Sequence, residues 1–538
     1  MYAMLRSLTS AIIAASGAIA AGACALARDR RGNIATAFAL SIIPVVAAGG
    51  AAIDVSRAMV VKSRLAHALD SAGLAIGSTP GLSIDQATTL AQRYFDANYP
   101  AGDLGIPGRV SVSVTDNRMR LQATAQVDMT LARIVGFDYW TVNVAAEVIR
   151  ETKKLEVALV LDTTGSMNTN NKIGGLRTAA TDLITILFGE IRQHPMLRVS
   201  IVPFVTTVNV NAPGFQQSWM DNNAQATWHG LNFARNPDGT RVNHFDLFNR
   251  IRNVQWKGCV ESRADPYDTD DTPPNPAVPD TLFVPYFWPD DPDSNTSSDP
   301  AFMTAHPMNQ YSNSYLSDLV TGSQRTRQMS TAKYNNRNAS VDDTPSDTRG
   351  PNRSCGHALT PLTNNRDTLL SRISELRAWN DSGTNIAIGL YWGWATLSPG
   401  QPFTEGAPYT DEETNKALVL LTDGENVVFG GYNAHNRSHY GGYNYLVPND
   451  ATGRFNTTNA STAASRVNDR VATLCTRIKA EGIRVYTILF DVSSASMATL
   501  FRNCASEPSL YFNNVTSDQL RQTFQQIAND LSNLRLSR

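Results

Sequence analysis

Asp162, Thr164 and Ser166 occupy alternate positions in Asp162-Thr163-Thr164-Gly165-Ser166, and roughly 260 residues later Asp423 stands in Thr422-Asp423-Gly424. Two carboxylates and several hydroxyls make an oxygen-only donor set, the kind a hard divalent cation prefers. Magnesium releases its waters reluctantly. A site of mainly neutral hydroxyls, with its acids held behind water, leaves such an ion electrophilic.

For these groups to meet, the segments before them must lie side by side. Each acid closes an apolar run, 155–161 in one case and 417–421 in the other. Runs of this length bounded by turn residues suit central strands of a parallel sheet, and ligand sites in such sheets gather where strand ends meet loops. The surrounding chain alternates in the same sense. Ile173, Leu176, Ala180, Ile184 and Leu187 form a helical stripe, 199–205 reads as a strand, and Leu369, Leu370, Ile373 and Leu376 mark another helix. A helix over 386–397, a stripe at Val467, Val471, Leu474 and Ile478, a strand over 483–490 and a closing helix through Leu520, Phe524, Ile527, Leu531 and Leu534 complete the pattern. The prediction is an α/β fold with a doubly wound, mostly parallel sheet over 151–538.

Two interruptions break the alternation, at about 209–365 and 425–455. A connection of roughly 155 residues must carry its own structure or function. Its acids Asp265, Asp268, Asp270, Asp271, Asp290, Asp291 and Asp293 match no standard calcium loop and are expected to be solvated. The second interruption is rich in Tyr, Asn, Gly and His and starts beside Asp423, which suits a mobile recognition loop on the same face.

The acid and hydroxyl pattern resembles the von Willebrand factor type A domain, whose metal-ion-dependent adhesion site reads Asp-x-Ser-x-Ser, then a distant Thr, then a distant Asp. The resemblance implies a metal set of Asp162, Thr164, Ser166, Thr384 and Asp423, with Thr384 taken from Gly383-Thr384-Asn385 ahead of the 386–397 helix. It implies Mg2+, or Mn2+ or Ca2+, and a protein partner whose Asp or Glu completes the shell. Such a site binds and does not catalyse. Thr164 departs from the usual Ser, keeping the hydroxyl and adding a methyl. A rival resemblance, to the aspartyl-phosphate phosphatases and ATPases with their Asp-Lys-Thr-Gly-Thr motif, lacks the Lys after Asp162 and one of the later acids.

With 538 residues the chain has room for two or three domains, and a formal net charge of -2 with 17% charged residues offers no basic stripe for nucleic acid. Residues 34–53 carry no charge, enough at 1.5 Å per residue to cross a hydrocarbon core of about 30 Å. This predicts one span within an anchor at 28–77, then a small α+β stalk at 78–150. Val110 to Val114 and Met119 to Val127 read there as a hairpin. Arg28, Arg30 and Arg31 before the span mildly favour a cytoplasmic N-terminus. Cys24 precedes the span whereas Cys259, Cys355, Cys475 and Cys504 follow it, an even set that suggests disulfides in an oxidising compartment. Three pairings are open; nearness in sequence favours Cys259 with Cys355 and Cys475 with Cys504. Residues 1–27 read as a leader or N-terminal extension.

Arg30-Arg31-Gly32-Asn33-Ile34-Ala35-Thr36-Ala37-Phe38-Ala39-Leu40, Ala51-Ala52-Ile53-Asp54-Val55-Ser56-Arg57, Ser63-Arg64-Leu65 and Ala68-Leu69-Asp70 resemble the N-terminal segment of TadG-like proteins of the tight adherence (Flp) pilus-assembly group. Leu359-Thr360-Pro361-Leu362-Thr363 and Trp392-Gly393-Trp394 recur in that group in the same order. Related pilins use a Gly and a downstream Glu for processing. No Glu follows Gly32 in the apolar run, so the segment is expected to stay as an anchor. The resemblance implies a non-enzymatic, single-pass protein of the bacterial inner membrane with its large domain extracytoplasmic, binding pilus-assembly proteins. The alternatives are a magnesium-dependent phosphohydrolase and a structural pilus-complex subunit without a working metal site.

Overall fold

The computed structural model describes residues 34–536 except 78, 80–81, 83, 101–103, 116–117, 150–152, 294–312, 346, 381–382 and 430–434. The expected leader, Cys24 and the arginines at 28–31 lie outside the described residues. The chain divides into two compact units between Glu151 and Thr152.

The first unit begins with α1 (Ile34–Gly77), a 44-residue helix that runs through Pro44. Residues 38–49 are exposed, Phe38, Ile43 and Val45 each by about two-thirds. From Asp54 onward one face turns inward, and Ala58, Val61, Leu65, Ala68, Leu69, Ala72 and Ile76 are buried at helical spacing. They pack with Ala87, Ala91 and Phe95 of α2 (Ile84–Asn98). The same core takes the inner face of a four-stranded antiparallel sheet, whose longer strands are β1 (Ser111–Thr115), β2 (Arg118–Asp128) and β3 (Tyr139–Ile149) and whose short fourth strand, Ile106–Pro107, pairs with β2. Along β2 burial alternates strictly, Met119, Leu121, Ala123, Ala125 and Val127 facing in, the period-two signature of a sheet covered on one side. The expected hairpin is therefore present. α2 and the long β3 are additions that the periodicity reading did not supply.

In the second unit the strands of the central sheet and the helices flanking it are, in chain order, β4 (Lys154–Asp162), α3 (Lys172–Phe188), β5 (Leu197–Phe204), β6 (Thr360–Thr363), α4 (Arg366–Glu375), α5 (Ile386–Leu397), β7 (Thr414–Thr422), α6 (Ala460–Ala480), β8 (Arg484–Phe490), α7 (Ala495–Cys504), β9 (Tyr511–Val515) and α8 (Ser517–Leu536). They build a six-stranded mixed sheet of order β6-β5-β4-β7-β8-β9, in which only the edge strand β6 is antiparallel to its neighbour. Alternate residues of β4 enter different cores. Leu155, Val157, Leu159 and Leu161 meet side chains of α3, α4 and α8, whereas Ala158 and Val160 meet α5, α6 and α7. Burial on both faces is why the strands read as unbroken apolar runs. Gly393 lets α5 lie close on β4, since a Cβ there would stand 2.3 Å from Val160.

The long insertion between β5 and β6 carries its own aromatic core, including Phe233, Phe248, Phe287, Tyr315 and Tyr334, and is clamped by the Cys259–Cys355 disulfide. The expectation of solvated acids there is corrected for three of the seven, since Asp265 is exposed and Asp270, Asp271 and Asp293 are half-buried. Asp268, Asp290 and Asp291 are buried. Asp290 pairs with Lys333 at 2.7 Å and accepts the amide protons of Tyr315 and Leu316, and Arg470 holds Asp268 at 2.6 Å. Buried charges persist when paired and hydrogen-bonded in this way. The described residues of the second interruption also pack, against the expectation of a mobile loop. Tyr440, Tyr443, Tyr445 and Leu446 are buried, and Asn436 and Asn444 bond Gln328 and Asn232 of the insertion at 2.8 Å. Its polar residues tie two insertions together.

Candidate functional site

Parallel register places β4 beside β7 with Leu161 opposite Leu421, so Asp162 and Thr422 end their strands side by side. Thr422 Oγ1 donates to Asp162 Oδ2 at 2.5 Å. The other Asp162 oxygen accepts from the Thr164 amide at 2.8 Å and from Thr164 Oγ1 at 2.7 Å. Thr164 Oγ1 lies 3.0 Å from Ser166 Oγ, which donates to Asp423 Oδ1 at 2.6 Å. Four of the five predicted residues thus form one chain of oxygens across two strand ends.

Thr384 reaches the same edge by a different route. The segment before it runs beside the Asp162 loop, where Trp379 donates its amide to Thr163 O at 2.9 Å. Thr384 then pairs through its backbone with Val427, four residues past Asp423. Among the described residues no hydrogen bond joins the Thr384 side chain to Asp162, Thr164, Ser166 or Asp423. It lines an adjoining open cleft with Asn385, Val427, Phe429, His439 and Tyr443.

Depth orders the groups. Asp162 is fully buried, Thr164 and Asp423 are nearly so, and Ser166 is exposed, so the solvent-facing member is a neutral hydroxyl. Burial, and next the charge of Asp423, push the Asp162 carboxyl up to about 7; burial also raises Asp423. Each hydroxyl owns one proton. With both acids ionised, Thr164 spends its proton on Asp162 and Ser166 on Asp423, so their 3.0 Å contact brings two lone-pair faces together. A positive charge added at that point removes the conflict, either as a proton on Asp162 or as a cation among the oxygens. The donor set fits a hard cation on this count. Among the described residues no three of His, Cys, Asp and Glu gather as a metal site, so any such site here depends on its hydroxyl oxygens.

Lys172 escaped the sequence reading. At the start of α3 it is buried, with Nζ 3.2 Å from Asp423 Oδ2 and 3.4 Å from Asp491 Oδ2. A lysine opening a helix gives no sequence sign of burial; only the meeting of α3 with the ends of β7 and β8 does. Its ammonium neutralises part of the acid pair from inside the fold.

Residues 32–77 match the Tad family, described as Flp pilus-assembly TadE/G-like. No curated protein matches the chain. Among solved structures it is similar to the pilus adhesin SpaC from Lactobacillus rhamnosus GG, at 12% identity and a TM-score of 0.30, covering 79% of this chain and 34% of that one. It is also similar to the vWF domain of the type V pili tip protein Mfa5 from Porphyromonas gingivalis, at 10% identity and a TM-score of 0.32, covering 72% and 97%. The adhesive tip pilin GBS104 from Group B Streptococcus agalactiae gives 10% identity and a TM-score of 0.33, covering 80% and 70%. The chain spans about a third of the length of SpaC.

Proposed function

We propose that this chain is a membrane-anchored, metal-dependent adhesion or protein-binding component of Flp pilus assembly, with a doubly wound domain of von Willebrand factor A type. The observation that carries the proposal is the oxygen chain Asp162–Thr164–Ser166–Asp423, lying across two adjacent parallel strand ends with a hydroxyl at its mouth. Ser166, Thr164 and Thr384 supply neutral oxygens to Mg2+ or Mn2+ while Asp162 and Asp423 act from behind. The bound ion supplies Lewis acidity toward a partner's Asp or Glu carboxylate. Exposed Val427 and Phe429 flank Thr384 and offer apolar contact beside that carboxylate.

Three further observations support the rest of the reading. The Tad match covers the anchor, whose apolar helix is long enough to cross a membrane. Both disulfides, Cys259–Cys355 and Cys475–Cys504, fall after that helix, which favours an extracytoplasmic domain. Against the phosphohydrolase stands the burial of Asp162, both of whose oxygens are held by Thr164 and Thr422; an attacking carboxylate needs a free, reachable oxygen. In cells producing the chain, Asp423→Ala is expected to abolish pilus-dependent attachment when compared at matched amounts of protein, and a chelator is expected to do the same to wild type. Attachment unchanged in both arms contradicts the proposal.

Lys172 favours a second reading, a structural subunit whose acids are already neutralised. Lys172→Met separates the two. Breaking a buried pair costs about 3 kcal/mol, so the cation-free variant should unfold at lower urea under either reading. If a cation binds, removing the ammonium from beside a dication should tighten Mg2+ affinity about tenfold or more and Mg2+ should restore the lost stability. If none binds, Mg2+ leaves the unfolding curve unchanged.

A further inference from the structure

We infer that the turn joining β2 to β3 is a second membrane contact, seated in the lipid headgroup layer beside the span. The inference rests on α1 crossing the bilayer and goes beyond the metal site. Asp54, one residue past the uncharged run, is buried and accepts the amide protons of Thr130, Leu131 and Ala132 at 2.9, 3.0 and 2.8 Å. Its carboxylate therefore caps the 3-10 turn Ala132–Val135 and fixes it to the helix. Gly50 provides the close approach: a Cβ there would stand 2.5 Å from Leu131 Cβ. Arg57 adds a hydrogen bond to Thr130.

This clamp sets the depth of the turn. A span at 34–53 rising 1.5 Å per residue ends about 5 Å above Gly50, so Leu131 sits at or just inside the edge of the hydrocarbon. The turn then presents what that layer favours. Phe137 is 36% and Tyr139 57% exposed, beside a half-buried Trp140, and the exposed Arg133 pairs with Asp138 of the same turn at 3.3 Å. Aromatic rings concentrate at the headgroup level of membrane proteins, and arginine reaches from there to phosphate. Trp140 packs on the core of the unit, whereas Phe137 and Tyr139 leave much of their rings uncovered by the described residues. In a bilayer the continuing lipid surface around α1 covers them without further protein.

The test uses the full chain with Cys24→Ser, leaving the four disulfide cysteines in place, and adds one labelled cysteine at a time. Phe137→Cys, Val45→Cys and Arg120→Cys carry an environment-sensitive fluorophore in phosphatidylcholine–phosphatidylglycerol vesicles with shallow or deep nitroxide lipids. All three positions are exposed, so the labels leave the core intact. Position 120 lies about 26 Å along β2 from the turn. The expected result is deep quenching at 45, shallow quenching at 137 and iodide quenching alone at 120. A label at 137 that behaves like 120 overturns the inference. So does one shielded from both iodide and nitroxide, which would mean that a protein or a second copy covers the turn. Loss of deep quenching at 45 instead overturns the span itself.

Discussion

Exchanging Asp162 for Asn is expected to stabilise the cation-free protein while abolishing its response to Mg2+. Asp162 is fully buried beside Asp423, and its carboxyl is pushed from 3.8 up to about 7. The folded state therefore favours the protonated form more strongly than the unfolded chain does. That stabilisation is complete below about pH 4 and is lost as the pH rises toward 7, an effect on the order of 4 kcal/mol. Asn removes the charge and keeps most of the contacts: its carbonyl can accept from the Thr164 amide, and Thr422 Oγ1, 3.2 Å from Gly424 O, can turn its proton there. Urea unfolding in chelator near pH 8 should show the variant more stable than wild type by about 2 kcal/mol or more, with a flatter dependence on pH. Added Mg2+ should raise the wild-type midpoint and leave the variant unmoved. A variant that is less stable in chelator, or still responds to Mg2+, contradicts the account of the site.

The second large effect concerns the insertion. Cys259 and Cys355 close a loop of 96 residues, and constraining a loop of that length in the unfolded chain is worth about 4.7 kcal/mol. The bridge packs with Tyr286, Trp288, Tyr440 and Tyr445, so its loss also loosens the contact between the two insertions. The double variant Cys259→Ser, Cys355→Ser is expected to lose about 4 kcal/mol and to expose the insertion to protease before the sheet. Cys475 and Cys504 close a loop of only 29 residues between α6 and α7, so the corresponding variant should lose less, about 3 kcal/mol. Equal losses from both pairs, or none from the first, contradict this assignment of weight.

Much of the sheet was legible because its strands are buried on two faces. The runs at 155–161 and 417–421 could hardly be anything but central strands, and each delivered its acid to the same edge. Helical stripes such as Val467, Val471, Leu474 and Ile478 marked α6 for the same reason, as all four are buried. What escaped was set by tertiary pairing. Lys172, Asp290 and Asp291 look solvated in sequence, because a charged residue gives no local sign of the partner that will meet it in the core. Tyr440 and Tyr445 looked like recognition residues because tyrosine suits both exposed paratopes and buried packing with a hydroxyl partner. β3 is legible too, since Trp140, Val142, Val144, Ala146 and Val148 alternate with Thr141, Asn143, Ala145 and Glu147 and share the inner face; only the hairpin before it was read. Asp54 read as part of a family phrase, and its service as a cap is visible only once the turn at 130–132 is placed beside it.

The central claim, that the separated acids and hydroxyls serve one cation, is tested most directly by titrating Mg2+ and Mn2+ calorimetrically into the detergent-solubilised full chain and its Asp423→Ala variant. The wild type is expected to bind one cation per chain saturably, and the variant none. No saturable heat at millimolar cation, or the same isotherm in both proteins, would contradict that claim.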